Sequence, residues 1–187
     1  MTDSALKTLC ELRSKKQCEA REVAGLIIKA GSMRELYRLL MHDPRPEDRL
    51  IVIHLLKYET LEHEQNEGLS EHLIICAYLL ARHGNVEDCL LIWDAKIANF
   101  STFLGLSSVL LVGAGIDETI RFLRTKLPKR RLSFRFLFNS RTPRNDSALE
   151  SAAALRHIEY ILKAGRFADK EEKVDKIKSM CMRFLTT

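Results

Sequence analysis

The sequence predicts an all-α fold, and three observations support this prediction. Only 8 glycines and 4 prolines occur among 187 residues, too few for the many tight turns of an all-β domain. Apolar residues recur at three- and four-residue spacing through most of the chain, which is the periodicity of amphipathic helices. Three apolar segments also end with a basic residue two positions before a glycine, as helix C-termini often do; they are Ile27–Gly31, Leu80–Gly84 and Ile161–Gly165.

The expected architecture is an irregular stack of helical hairpins that forms one domain over residues 1–187. Hairpins that end at a glycine and begin a new helix stack side by side in solenoid proteins. The three glycines are 53 and 81 residues apart, so the chain has no fixed repeat period. We therefore expect about eight or nine helices in an irregular arrangement.

Four helices are predicted in the first third of the chain. Ser32 and Glu35 form a capping box at the start of the third helix, and Pro46 suits the first turn of the fourth. An acidic loop, residues 59–71, is expected to follow and to be irregular over residues 61–68. The four predicted helices are Ala5–Lys16, Glu19–Ala30, Ser32–His42 and Pro46–Thr60.

Two long apolar helices, Ser70–His83 and Val86–Ala98, are predicted next. The first is apolar nearly all round, so we expect it to be buried on most sides. An irregular connector with two phenylalanines follows at residues 100–106. Residues 107–112 form a run so short that periodicity allows either a strand or a helix.

Three more helices are predicted in the last third, on either side of a basic segment at residues 127–146. In this segment phenylalanines alternate at Phe134, Phe136 and Phe138. Alternation is typical of a strand, so one short β-hairpin near residues 107–138 stays open beside a simple loop. The predicted helices are Asp117–Lys126, Ser147–Ala164 and Asp169–Leu185.

The composition predicts a cytoplasmic protein without disulfides. No run of about 18 apolar residues is present to span a membrane. The first residues, Met1–Ser4, lack the basic-then-apolar pattern of a secretory signal. The five cysteines are scattered and none forms a Cys-x-x-Cys pair, which argues against a disulfide framework or a zinc site.

Two motifs approach known catalytic or cofactor sites but lack essential residues. Val112-Gly113-Ala114-Gly115 is similar to the start of a dinucleotide-binding unit, yet Glu118 replaces the third glycine and no β-α-β pattern follows. His63-Glu64-Gln65-Asn66-Glu67 approaches a zinc-protease motif, but Glu67 stands where the second histidine is needed. We therefore expect no cofactor, no metal and no catalytic activity.

Charge is distributed unevenly along the chain. Residues 43–94 hold eleven acidic and four basic residues, a net charge of −7, whereas residues 121–144 hold nine basic residues and no acidic one, a net charge of +9. Each stretch is either a solvated face or a docking surface for a partner of opposite charge. The candidates for binding a basic protein are Glu62, Glu64, Glu67, Asp88 and Asp94. The candidates for binding nucleic acid are Lys129, Arg130, Arg131 and Arg135.

Aromatic residues are the second kind of candidate contact. The only tryptophan, Trp93, shares an apolar helical stripe with Leu90 and Ile97, so we expect it in the core. Phe100 and Phe103 lie on the connector and are better candidates for exposed contacts, since aromatic residues often dominate interface energetics.

The segment Leu90-Leu91-Ile92-Trp93-Asp94-Ala95-Lys96, followed by Asn99-Phe100-Ser101-Thr102-Phe103 and Val112–Thr119, resembles a bacterial family. This family comprises all-helical immunity proteins encoded beside polymorphic toxins, notably those of contact-dependent growth inhibition. The resemblance covers about the middle third of the chain. It implies a cytosolic, non-catalytic inhibitor that occludes the active site of a toxin domain, often a nuclease, delivered by a neighbouring cell.

The net charge of +5 departs from the acidic balance expected of an inhibitor of a basic nuclease. The acidic stretch at residues 43–94 supplies negative charge locally, so an immunity protein remains the leading hypothesis. The alternative is a nucleic-acid-binding helical adaptor that uses the basic residues of segment 121–144.

Overall fold

The computed structural model describes residues 3–14, 33–127 and 147–186. These residues form nine α-helices and one 3-10 helix, and no β-strand occurs among them. The predicted all-α class is therefore confirmed. The helices are α1 Asp3–Ser14, α2 Met33–His42, α3 Asp48–Gln65, α4 Glu71–Arg82, α5 Asp88–Lys96, α6 Phe100–Gly105, the 3-10 helix Ser108–Val112, α7 Ile116–Lys126, α8 Ser147–Lys163 and α9 Lys170–Thr186.

Helix α4 lies at the centre of the core. A helix with apolar residues on all sides is stable only when neighbours cover every face, and α2, α3, α5, α9 and the 3-10 helix all pack against α4. Trp93 of α5 is buried, as the sequence predicts. Five side chains of α4 have no solvent exposure; they are Leu73, Ile75, Cys76, Ala77 and Leu80. No helix within the described ranges is both long and apolar enough to cross a membrane.

Helical hairpins connect through glycine turns at two of the three predicted places. Gly84 follows α4 with φ +65°, and Gly165 follows α8 with φ +68°. This left-handed conformation carries no steric penalty for glycine, which is why glycine ends helices at such turns. Helix α3 packs on α4, α4 on α5 and α7 on α8. The third glycine, Gly31, and the predicted helix before it lie outside the described residues.

Two segments that the sequence predicts to be irregular are in fact helical. Helix α3 continues to Gln65, so the first half of the predicted acidic loop is helix. Residues 61–65 include Leu, Glu and Gln, which favour helix, and neither Gly nor Pro interrupts them before Gly68. The aromatic connector forms α6, because Asn99 and Thr102 make a reciprocal capping box at its start.

The short run at residues 107–112 is also helical. Residues 108–112 form the 3-10 helix, so the predicted β-hairpin has no strand between residues 107 and 127, and its remainder, 128–138, lies outside the described part of the chain. Gly115, at φ +112°, then turns the backbone into α7. Because no strand leads into Gly113 and Gly115, this turn lacks the strand–loop–helix geometry of a dinucleotide site.

Candidate functional site

The C-terminal end of α3 carries an acidic cluster. Glu62 and Glu64 lie in the last helical turn and Glu67 lies just beyond it, and all three are exposed. The chain between Tyr58 and Ala81 holds five glutamates and neither lysine nor arginine. Because the C-terminal end of a helix carries partial negative charge, the dipole of α3 disfavours Glu62 and Glu64 at their positions.

His63 fixes the turn between α3 and α4. Its Nδ1 lies 2.6 Å from the carbonyl oxygen of Glu59, and its Nε2 lies 3.0 Å from the amide nitrogen of Ser70. A carbonyl can only accept and an amide N–H can only donate, so the ring is neutral with its proton on Nδ1. Ser70 in turn caps α4, because its Oγ accepts from the N–H of Leu73. These bonds set the position of the loop that carries Glu67.

Asn99 joins the acidic cluster to helix α6. Its Nδ2 donates to the carbonyl oxygens of His63, Asn66 and Gly68 at 2.9, 3.1 and 3.1 Å. Its Oδ1 accepts from the N–H of Thr102 at 2.8 Å. Since Oδ1 must face the donor at the helix start, Nδ2 must face the three carbonyls. The acidic end of α3 and the aromatic helix α6 are therefore held side by side.

Helix α6 exposes an apolar face next to the acidic cluster. Phe100 is 76% exposed, Leu104 66% and Phe103 40%. Positions separated by three and four residues lie on one side of a helix, so these three side chains form one patch. We call Glu62, Glu64 and Glu67 together with Phe100, Phe103 and Leu104 the acidic–aromatic surface. The exposure expected for Phe100 and Phe103 is confirmed.

Lys96 holds the C-terminal end of α6 in place through hydrogen bonds. Its side chain is 3% exposed, and Nζ donates to the carbonyl oxygens of Phe103 and Leu106 at 2.5 and 2.6 Å. These carbonyls lie at the C-terminal end of α6, where helical acceptors lack partners within the helix. Burial lowers the pKa of Lys96 to about 8. The lysine is a structural support of the apolar patch and takes no part in its exposed face.

Asp88 does not belong to the acidic–aromatic surface. It is 1% exposed, and its two carboxylate oxygens accept from Arg49 at 2.6 and 3.0 Å. The sequence-based expectation that Asp88 contacts a partner directly is therefore wrong, because a buried carboxylate needs an internal cation. Asp48 is held in the same way by Arg13, at 2.7 and 2.8 Å.

Asp94, the remaining acidic candidate, lies near Glu64 in a separate depression of about 320 Å³. It is half-buried, and Leu61, Leu91 and Glu150 also line this depression. Both Asp94 and Glu64 interact with other groups of the protein. Asp94 therefore lies beside the acidic–aromatic surface rather than on its exposed face.

A larger cavity, of about 550 Å³, opens beside Glu62 and Glu67. Its lining includes Glu59, which is only 6% exposed. The hydroxyl of Ser70 donates to Glu59 Oε2 at 3.2 Å, and Nδ1 of His72 lies 3.8 Å from Oε1. Burial is the main cause that raises the pKa of the Glu59 carboxyl. A buried acid at the floor of an open cavity is the least expected polar feature of this region.

Sequence analysis placed Glu59 in the acidic loop and missed its position in the cavity. The signal was present, since Val52, Leu55, Leu56, Glu59 and His63 follow helical spacing. A charged residue within an apolar stripe of a helix must be buried with partners or must line a cavity. Because Glu59 also begins the acidic stretch at residues 59–71, the charge pattern obscures its place in the apolar stripe.

The four residues predicted to bind nucleic acid, Lys129, Arg130, Arg131 and Arg135, lie outside the described residues. Within the described ranges, no group of three His, Cys, Asp or Glu side chains is arranged to hold a metal ion. No protein-family model matches the sequence, and neither a curated protein nor a solved structure is detectably similar to the chain.

Proposed function

We propose that this chain is a non-catalytic immunity protein that binds a cognate toxin domain through the acidic–aromatic surface and occludes its active site. The partner is a protein domain with a basic cleft, and a nuclease is the toxin class whose cleft best fits such a surface. Carboxylates of the immunity protein would occupy positions that nucleic-acid phosphates take in the toxin. The phenylalanines would pack on the rim of the cleft.

The placement of the glutamates at the end of α3 carries this proposal. Glu62 and Glu64 lie where the helix dipole repels them, and Glu62 also adds to the electrostatic rise in the pKa of Glu59. Neither Glu62 nor Glu67 forms an ion pair within the described ranges. Residues that weaken the fold and are exposed without partners are typical of sites used for binding.

The neighbouring apolar patch supports a protein partner. Nucleic acid would be repelled by the glutamates, and a small metabolite would leave most of the patch in water. A protein interface, in contrast, combines aromatic anchors at its centre with charged residues that steer association. Because Asn99 and Lys96 hold α6 in place through hydrogen bonds, little conformational entropy is lost when a partner binds.

The proposal is tested by growth rescue. The proposal requires a secreted toxin encoded beside this gene, and the C-terminal domain of that toxin is expressed from an inducible promoter in a bacterial host, with or without this chain. The wild-type chain is expected to restore growth, and the double variant Glu62→Lys/Glu67→Lys is expected to lose at least tenfold in affinity for the purified toxin domain. Wild-type affinity should fall steeply with salt, because charged surfaces are screened.

A matched control distinguishes the effect of changing the acidic–aromatic surface from the effect of changing the net charge. Glu11→Lys/Asp175→Lys changes the charge by the same amount at two exposed positions on α1 and α9. This control should rescue growth as well as the wild type does. Equal affinity of the two double variants for the toxin domain would show that the acidic–aromatic surface is not part of the interface, and no rescue by the wild-type chain would refute the immunity function.

A further inference from the structure

We propose that the cavity beside Glu62 and Glu67 is a pocket for an arginine side chain of the bound partner. This inference rests on the proposed function, because it names the group that the partner would insert. The cavity has a volume of about 550 Å³, within the range of pockets that bind ligands. It borders the acidic–aromatic surface, since Glu62 and Glu67 are among its lining residues.

Glu59 lines the pocket, and only one of its two carboxylate oxygens accepts a hydrogen bond from a described residue. Glu59 is more than nine-tenths buried, and Oε1 meets only Nδ1 of His72, at 3.8 Å, in the described part of the chain. That distance is too long for a hydrogen bond. A donor group entering the pocket would supply the hydrogen bond that Oε1 of Glu59 lacks within the described residues.

The walls of the pocket suit a long side chain with a flat cationic end. Met33, Leu55 and Leu69 supply apolar contacts for an aliphatic stem. The ring of Tyr58 lines the same cavity, and a guanidinium stacks on such a ring while it donates to a carboxylate in its plane. Lysine offers neither the planar group nor the paired donors. The pocket chemistry therefore favours arginine.

The charge of the pocket selects a cation. Three carboxylates, Glu59, Glu62 and Glu67, line it, and neither lysine nor arginine appears among its described lining residues. Burial and the nearby Glu62 raise the pKa of Glu59, while His72 and the Ser70 hydroxyl act in the opposite direction. A bound guanidinium would stabilise the ionised form of Glu59 that burial now disfavours.

The pocket can be tested without the toxin. Backbone amide spectra of the full chain labelled with nitrogen-15 are recorded during titration with N-acetyl-arginine amide, and separately with N-acetyl-citrulline amide. Citrulline has nearly the same shape as arginine but carries no charge. The arginine probe is expected to shift the amides of Glu59, Ser70 and His72 in a saturable manner, whereas the citrulline probe should leave them nearly unchanged.

Two variants test whether arginine binding depends on the charge of Glu59. Glu59→Gln keeps an acceptor for the Ser70 hydroxyl but removes the charge, and it should weaken arginine binding about tenfold, the loss expected for one charge-assisted contact. Glu11→Gln, an exposed change on α1, should bind as the wild type does. Each variant's spectrum also reports whether it is folded. Should Glu59→Gln fail to fold, the comparison of arginine with citrulline on the wild type decides alone.

The proposal is overturned if arginine causes no saturable shifts, if citrulline causes equal shifts, or if a folded Glu59→Gln variant binds arginine undiminished. These outcomes are separate from those of growth rescue. Rescue without arginine binding would refute the pocket and leave the immunity function intact. Arginine binding without rescue would support a cation pocket and refute the toxin partner.

Discussion

Acidic residues at the two ends of helix α3 have opposite roles. At its N-terminal end Asp48 is 1% exposed and held by Arg13, and nearby Asp88 of α5 is 1% exposed and held by Arg49. At its C-terminal end Glu62 and Glu67 are exposed and form no ion pair within the described residues. The same residue class therefore stabilises the fold at one end and is available for a partner at the other.

The helix dipole strengthens this contrast. Asp48 and Asp88 each lie in the first turn of a helix, where partial positive charge favours a carboxylate. Glu62 and Glu64 lie in the last turn of α3, where the dipole disfavours them. A stretch with net charge −7 thus combines structural acids that the fold requires with surface acids that the fold would be more stable without. The following predictions test this division.

The largest effect is expected from Arg49→Met, which leaves Asp88 buried without its guanidinium. Removing one partner of a buried ion pair is strongly destabilising, so the free energy of unfolding should fall by about 3 kcal/mol. Urea unfolding followed by circular dichroism measures this change. Arg121→Met, which removes an exposed arginine paired with Glu118, should change stability by less than about 0.5 kcal/mol. Equal midpoints for the two variants would show that the Asp88 pair is not structural.

Asn99→Ala should have the next largest effect, because it removes the cap of α6 and the donor to three carbonyls. We expect a loss of about 2 kcal/mol. Asn99→Asp keeps an acceptor for the N–H of Thr102 but turns a carboxylate oxygen toward the three carbonyl oxygens, so it should be at least as destabilising as Asn99→Ala. Hydrogen exchange should accelerate at residues 66–70 and 100–105 and stay unchanged at the N-terminal end of α3. Unchanged exchange in both segments would mean that Asn99 does not hold the surface together.

Lys96 gives a pH-dependent test of the support under α6. Its folded pKa is lowered to about 8 from 10.5, so between these values the unfolded chain binds more protons than the folded chain. Stability from this group therefore rises with pH. The free energy of unfolding of the wild type relative to Lys96→Met should increase by about 2 kcal/mol from pH 8 to pH 10. A flat difference would show that Lys96 has an ordinary pKa in the folded state.

The smallest effect, and one of opposite sign, is expected from Glu62→Lys. A cation in the last turn of α3 interacts favourably with the helix dipole, so the free energy of unfolding should rise by about 0.5 kcal/mol. Thermal unfolding measures the change, and Asp175→Lys, at an exposed position away from both ends of α9, serves as the control. A clear loss of stability in Glu62→Lys would mean that the exposed acids also support the fold.

Helical periodicity in the sequence predicted the all-α class and the buried α4, and the place of Phe100 and Phe103 on a connector predicted their exposure. The sequence did not predict that Asp88 is buried, because its burial depends on a partner that is distant along the chain. Arg49 is 39 residues from Asp88 along the chain, and no local pattern links the two. The helical nature of α6 was readable from Asn99 and Thr102, whereas the three carbonyls that Asn99 binds depend on the fold.

The cavity shows a second structural feature that the sequence pattern predicts only in part. Glu59 follows the apolar spacing of α3 and lies within the predicted helix Pro46–Thr60, so the spacing alone indicates its burial. Its approach to Ser70 and His72 depends on how α4 packs against α3. The buried acid was therefore predictable from the sequence, although it was assigned to a loop, whereas the cavity around it was not.

The central claim, that the acidic–aromatic surface binds a basic protein domain, is tested most directly by hydrogen exchange of the complex. The chain is measured alone and with the toxin domain that the proposed function requires as its partner. Protection on binding is expected to concentrate at residues 61–70 and 100–105, with little change at the N-terminal end of α3 and in α9. Protection confined to α7, α8 or α9, with residues 61–70 and 100–105 unchanged, would contradict the claim.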